Sequence, residues 1–346
     1  MQRTRVVALG FGLAAALAGC QAPPAALRFP GEVAAERIGE IDPAGWGAPY
    51  AGGKLSDLLV APSGELYVTT NQPAQVLRLT ADGGLDWASA GDYVGPFLQL
   101  ALKGDDLLVV DPGQGLVEEL GRDGSSRVQA RLAAAFDAAS VRDRIFVYPN
   151  TEGYLLEVLD GGLKRLDSLV PLPGTPSQVS ASACLLLPAP GGELFALWNP
   201  TRTLYRFGPD GSPRAQLALS PDDLLANLEK RNRRVQRAMR ERGIAGRVDP
   251  YVDLTVDPAG HLAALYLFER FHEGEDVDQV DHPHEFDGAA YRFTAAGEGL
   301  DVIRGLGPIN RLAFAGGERA YGLDQVTNKI AVYRLGAATP ELAARR

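Results

Sequence analysis

Cysteine, histidine and positive charge are all scarce in this chain. Its only cysteines are Cys20 and Cys184, so a disulfide framework is excluded if either thiol is otherwise engaged. Lys and Arg number 34 against 43 Asp and Glu, a net charge of -9. That balance argues against a general nucleic-acid binder, which needs excess cations to displace phosphate counterions. The apolar segment Val6 to Ala18 is too short to span a bilayer. Also absent are a Gly-x-Ser-x-Gly elbow, a His-Glu-x-x-His helix and a phosphate-cradling glycine loop, and Gly113-Gln114-Gly115-Leu116 is only a strand connection.

Glycine and proline are plentiful, 40 and 24 of 346 residues, which suits a fold of many turns and few long helices. With 46% hydrophobic residues the chain can bury a substantial core.

Leu66 to Gly84 reads as an apolar run, a polar turn at Thr70-Asn71-Gln72, an alternating run and an Asp-Gly-Gly turn, a hairpin leading into a further strand. The pattern returns. Second strands begin at Leu66, Leu107, Ile145, Leu194, Leu262 and Ala320, and third strands at Val76, Leu116, Tyr154, Leu204, Ala290 and Ile330. First strands precede them at Leu58, Leu100, Ala138, Val179, Leu254 and Leu312, and a fourth follows most turns. Four short antiparallel strands repeated six times predict an all-β, six-bladed β-propeller over residues 35–335.

The third strands share Leu77-Arg78-Leu79, Tyr205-Arg206-Phe207, Tyr291-Arg292-Phe293 and Tyr333-Arg334-Leu335. With Leu66-Tyr67-Val68 and the Asp-Gly turns, they resemble the NHL repeat and TolB-like six-bladed propellers across nearly the whole chain. The last repeat lacks an outer strand, and the tail 336–346 is too rich in alanine and charge to supply it. The alternating segment Arg37 to Ile41 fills the gap, pairing first to last and removing an exposed edge.

At the amino terminus, Arg3 and Arg5 precede the apolar core and Leu17-Ala18-Gly19-Cys20 closes it, resembling the lipobox of bacterial lipoproteins. The resemblance implies removal of the signal peptide 1–19, acylation of Cys20, and a membrane-anchored protein joined to its domain by a tether over 20–34. Gln21, rather than Asp, favours the outer membrane, facing the periplasm. Loss of two arginines takes the net charge from -9 to -11, and Cys184, in the apolar run Ser182 to Leu186, is left as a buried, inert thiol.

Two insertions interrupt the repeat, and propeller geometry puts both on one face. The first, 220–248, is a helix between the fourth and fifth blades: Ser220 caps it, Pro221 opens it, Asp222 and Asp223 suit its dipole and Gly243 stops it. Leu224, Leu228, Val235 and Met239 form the packing stripe. The rest is basic, through Lys230, Arg231, Arg233, Arg234, Arg237, Arg240, Arg242 and Arg247. The second insertion, 269–288, is acidic. Helix and loop are expected to pair electrostatically as a lid, with Arg233, Arg234, Arg237 and Arg240 as its cations. Two separately solvated charge runs, or a helix gripping anionic lipid or lipopolysaccharide phosphate, are the alternatives.

Asp281-His282-Pro283-His284 offers metal-ligand types compatible with a divalent cation such as zinc, nickel or copper, although solvated acidity explains the same loop. A second constellation stands where each first strand enters the channel: Asp57, Gln99, Asp137, Gln178, Asp253 and Arg311. Six polar side chains on one axis would bind a ligand group or bond neighbouring backbone amides. Gluconolactonase- and regucalcin-type relatives hold a channel metal with Glu, Asn and Asp. Here Gln and Arg interrupt such a set. The expected function is therefore binding or scaffolding of an envelope protein, peptide or glycan through the top face, by a monomer or a subunit of an envelope complex, without a cofactor and without nucleic acid. The alternative is a metal-dependent hydrolase, lactonase or lyase with Asp57, Asp137 and Asp253 as ligands.

Overall fold

The computed structural model describes residues 27–95, 97–132, 134–149, 154–169, 183–189, 191–241, 249–269, 285–337 and 339–340. Four antiparallel four-stranded sheets come first. They are built from Leu55–Val60, Leu66–Asn71, Ala74–Leu79 and Leu85–Ala88; Gln99–Lys103, Asp106–Asp111, Leu116–Leu120 and Ser126–Arg131; Asp137–Val141, Arg144–Tyr148, Leu156–Asp160 and Arg165–Leu169; and Cys184–Ala189, Glu193–Trp198, Thr203–Phe207 and Pro213–Ala218. The helix Asp222–Glu241 follows. Two further meanders, Tyr251–Val256, Leu262–Glu269, Phe286–Phe293 and Gly299–Arg304, then Ile309–Phe314, Arg319–Asp324 and Lys329–Leu335, share one nine-stranded sheet.

Short apolar runs separated mostly by turns of two to five residues explain the meanders. Gly83, Gly124 and Gly211 follow aspartate in turns and take positive φ, at 86°, 78° and 82°, which a side chain would resist. First strands of successive sheets touch one another in order, and Leu55–Val60 also meets Ile309–Phe314, so the series returns on itself. Apolar clusters fill the wedges between neighbouring sheets; one joins Leu186 and Trp198 to Phe146 and Tyr148. The arginine common to the third strands is structural. Arg78 pairs with Asp86, Arg206 with Glu193, Arg292 with Asp257 and Asp301, and Arg334 with Glu36.

The closing strand forms as the sequence predicts, with Ala35 opposite Leu335 and Ile41 opposite Ile330 in antiparallel pairing. It also extends further back than expected. Residues 31–34, expected within a tether, belong to the strand Gly31–Ile41, and Gly31 to Ala34 pair in parallel with Asp301 to Arg304. Val33 is buried, Phe29 stacks edge-on against Tyr291, and Leu27 joins the same core. A Cβ on Gly299 would run into the carbonyl oxygen of Arg28, so glycine is needed for this approach. The tail contributes as well, since Thr339–Pro340 pairs with Glu32 and Gly31.

Candidate functional site

Asp57, Asp137 and Asp253 make the same pair of bonds in three places. Asp57 accepts the backbone N–H of Leu58 at 2.9 Å and, across the sheet boundary, that of Leu100 at 2.6 Å. Asp137 accepts from Ala138 and Leu186, both at 2.8 Å, and Asp253 from Leu254 at 3.0 Å and Leu312 at 2.7 Å. Each carboxylate thus ties its own first strand to the next. Register shifts beside Asp57, Asp253 and Arg311 mark bulges, which re-aim side chains where strands begin.

Arg311 crosses the channel. Its Nε donates to Asp57 at 2.7 Å, Nη2 to the Gln99 side-chain oxygen at 2.9 Å, and Nη1 to the carbonyls of Val252 and Asn310, both at 2.9 Å. One guanidinium thus bonds the Asp57 carboxylate, and its charge also acts on Asp253 and Asp137. Burial pushes the Asp137 carboxyl up to about 7 and that of Asp253 up to about 6. Asp57 is raised by burial too, against the pull of Arg311. Arg311 loses solvation, but Asp57 and Asp253 hold its proton more tightly than usual.

The fourth ring position differs from expectation. Gln178 lies outside the described residues, and the fourth sheet begins instead at Cys184. The amide that Asp137 engages is that of Leu186, so Leu185 stands where Gln99 and Arg311 stand in their sheets. The ring is not wholly polar. Strand spacing carried this signal: the ring residue precedes its second strand by 8 or 9 positions in the other five repeats and in Leu185 to Leu194, against 16 from Gln178.

On the side where the first strands begin, the ring floors a recess of about 390 Å³ bounded by Asn71, Phe97, Phe136, Asn310 and Gln325. Phe97 is 60% exposed at its lip. The Asn310 side-chain oxygen is buried and has no hydrogen-bond partner, a feature that sequence periodicity could not have flagged. Beyond the ring, the channel holds about 210 Å³ lined by Leu59, Ala101, Leu187 and Ala313. Cys184 is buried, and burial raises its thiol well above the usual range, which leaves it a poor nucleophile.

The basic helix docks at the recess end. Leu224 and Leu228 are buried and Val235 packs with them. Arg231 donates to the Leu267 carbonyl at 2.8 Å and lies over the Phe286 ring. Arg234, expected among the lid cations that meet the acidic insertion 269–288, is buried in an ion pair with Glu269, which ends the strand Leu262–Glu269 rather than lying in a loop. Arg233 is exposed and Arg237 pairs with Glu241 within the helix. The Arg240 side chain, the acidic loop 270–284 with Asp281, His282 and His284, and Cys20 lie outside the described residues. Among the described residues, no three His, Cys, Asp or Glu side chains stand together to share a metal ion.

No protein-family model and no curated protein matches the chain. Solved structures do. A virginiamycin B lyase from Staphylococcus aureus with quinupristin aligns with TM-score 0.52 at 10% identity, covering 88% of this chain and 99% of that one. A member of the DUF4221 family from Bacteroides vulgatus aligns at 0.53 and 10%, covering 89% and 99%. The Cps50 (Swd1) β-propeller domain of Myceliophteria thermophila aligns at 0.51 and 10%, covering 87% and 99%. At such identity the likeness speaks to fold alone. The chain has the β-propeller fold.

Proposed function

We propose that the chain is a lipid-anchored binding propeller of the bacterial envelope, engaging a protein, peptide or glycan at the recess above the Arg311 ring. It counts as six-bladed and NHL- or TolB-like, the closing strand completing the sixth blade and the helix lying between the fourth and fifth. The ring of contacts between first strands supports that count. The lipobox at Leu17 to Cys20 supports anchoring through an acylated Cys20.

One observation carries the binding reading: Phe97, 60% exposed, overhangs a concave floor whose aspartates are already engaged by backbone amides. Exposed apolar surface beside convergent polar groups is the makeup of a recognition site. Carboxylates committed to strand closure suit such a floor better than metal ligation. The experiment is site-specific photocrosslinking from the lip, in intact envelopes, of full-length protein and a Phe97→Ser variant. A discrete adduct that Phe97→Ser loses is the expected result. The same adducts from both would overturn the assignment of the recess.

A further inference from the structure

The two ends of the propeller are fixed relative to the amino terminus, and this decides which end faces the membrane. The first strands begin at the recess, so in each antiparallel meander the second strand runs toward the recess, the third away from it and the fourth toward it. The closing strand is antiparallel to the third strand Lys329–Leu335 and parallel to the fourth strand Gly299–Arg304. It therefore runs toward the recess. Its Ile41 end lies with Ile330 and Leu323, beside the start of the strand that carries Arg311, and Arg37 reaches Asp324 at 3.1 Å. Its Gly31 end lies opposite.

The residues before it stay at that far end. Phe29 packs on Tyr291, and Arg28 sits against Gly299, the first residue of a strand that starts there. The chain is thus held from Leu27 onward, only seven residues after Cys20. Seven steps of chain reach about 25 Å at full extension. That is comparable with the thickness of the domain, since a strand of six residues is about 20 Å long.

We infer that the anchored protein stands with the recess and the basic helix directed away from its own bilayer, so that the ligand arrives from the aqueous side. The helix is at the recess end because Arg231 bonds the Leu267 carbonyl and Arg234 pairs with Glu269, the last residues of a strand running toward the recess. Its cations then meet a water-borne or polymeric partner, not the headgroups of the membrane that holds Cys20. The inference rests on the lipid-anchored reading.

Two exposed turns at opposite ends of one meander supply the test. Val326, 73% exposed, lies at the recess end, and Glu318 is exposed at the other. Val326→Cys and Glu318→Cys are labelled separately with a fluorophore, the buried Cys184 being shielded. The lipidated full-length protein is reconstituted into phosphatidylcholine vesicles whose headgroups carry a short-range metal-chelate quencher. With a strand length of about 20 Å between the sites, quenching at Glu318 should exceed that at Val326 by roughly threefold or more. Equal quenching, or stronger quenching at Val326, would overturn the orientation while leaving the anchor intact. Failure of the protein to float with vesicles would overturn the anchored reading itself, and the orientation with it.

Discussion

Asp137 and Leu186 belong to different sheets, and the carboxylate of one accepts the backbone N–H of the other at 2.8 Å. Because the same oxygen pair also holds the Ala138 N–H, removing the carboxylate leaves two inward-facing donors unserved. Asp137→Ala should cost about 2 to 6 kcal/mol, at roughly 1 to 3 kcal/mol for each stranded group. Urea denaturation would register this as a lower midpoint, and a midpoint unchanged from wild type would deny the carboxylate its role in joining the sheets.

The raised carboxyls make stability depend on pH in an unusual direction. Asp137 titrates near 7 when folded against an ordinary value of 3.8, and Asp253 near 6. Between those limits the folded state binds more protons than the unfolded one, so their contribution to stability falls as pH rises from about 4 to 7 and is level above. Each group gives a slope of at most about 1.4 kcal/mol per pH unit. Asp137→Asn should flatten the decline between pH 5 and 7. If urea midpoints of variant and wild type track each other across that range, Asp137 is not the titrating group.

Arg311 and Asp57 form a buried ion pair whose members depend on each other. Arg311→Leu strands a desolvated carboxylate and should cost about 3 to 5 kcal/mol. Adding Asp57→Asn should recover part of that loss, because the uncompensated charge goes too. A double-mutant cycle by chemical denaturation would show the coupling; strict additivity of the two changes would mean that the pair does not interact.

How far the sequence disclosed this arrangement follows from what repetition can and cannot encode. Strand order was legible because each meander repeats a period-two apolar pattern between turns, and Asp57, Asp137 and Asp253 stood out because they recur at one phase of it. Leu185 was missed because two apolar runs, at Val179 and at Cys184, compete for the same strand, and only spacing separates them. That Arg234 meets Glu269 in particular was not legible, because the two stand 35 residues apart in different elements. Pairings of that kind leave no periodic trace. Asn310 sits next to Arg311, yet nothing local announces that its side-chain oxygen is buried without a partner.

The Arg234–Glu269 pair anchors the helix to the strand Leu262–Glu269. Glu269→Ala should therefore loosen the helix more than the sheets. Hydrogen exchange over residues 222–241 is expected to accelerate at least tenfold, corresponding to about 1.4 kcal/mol of lost local stability, with the first-strand amides unchanged. Uniform acceleration across all sheets would instead make the pair part of global stability.

Closure is the remaining element whose removal separates two outcomes. Deleting residues up to 29 leaves Gly31–Ile41 able to pair on both sides, and loses chiefly the packing of Phe29 on Tyr291. Deleting residues up to 41 removes the strand that, among the described residues, bridges Gly299–Arg304 and Lys329–Leu335. Two backbone edges are then exposed, and open edges recruit other chains. The shorter truncation should stay monodisperse with a modestly lower urea midpoint; the longer one should form concentration-dependent oligomers in size-exclusion chromatography. A monodisperse protein of native stability after the longer truncation would show that the amino-terminal strand covers the edges without holding the ring closed.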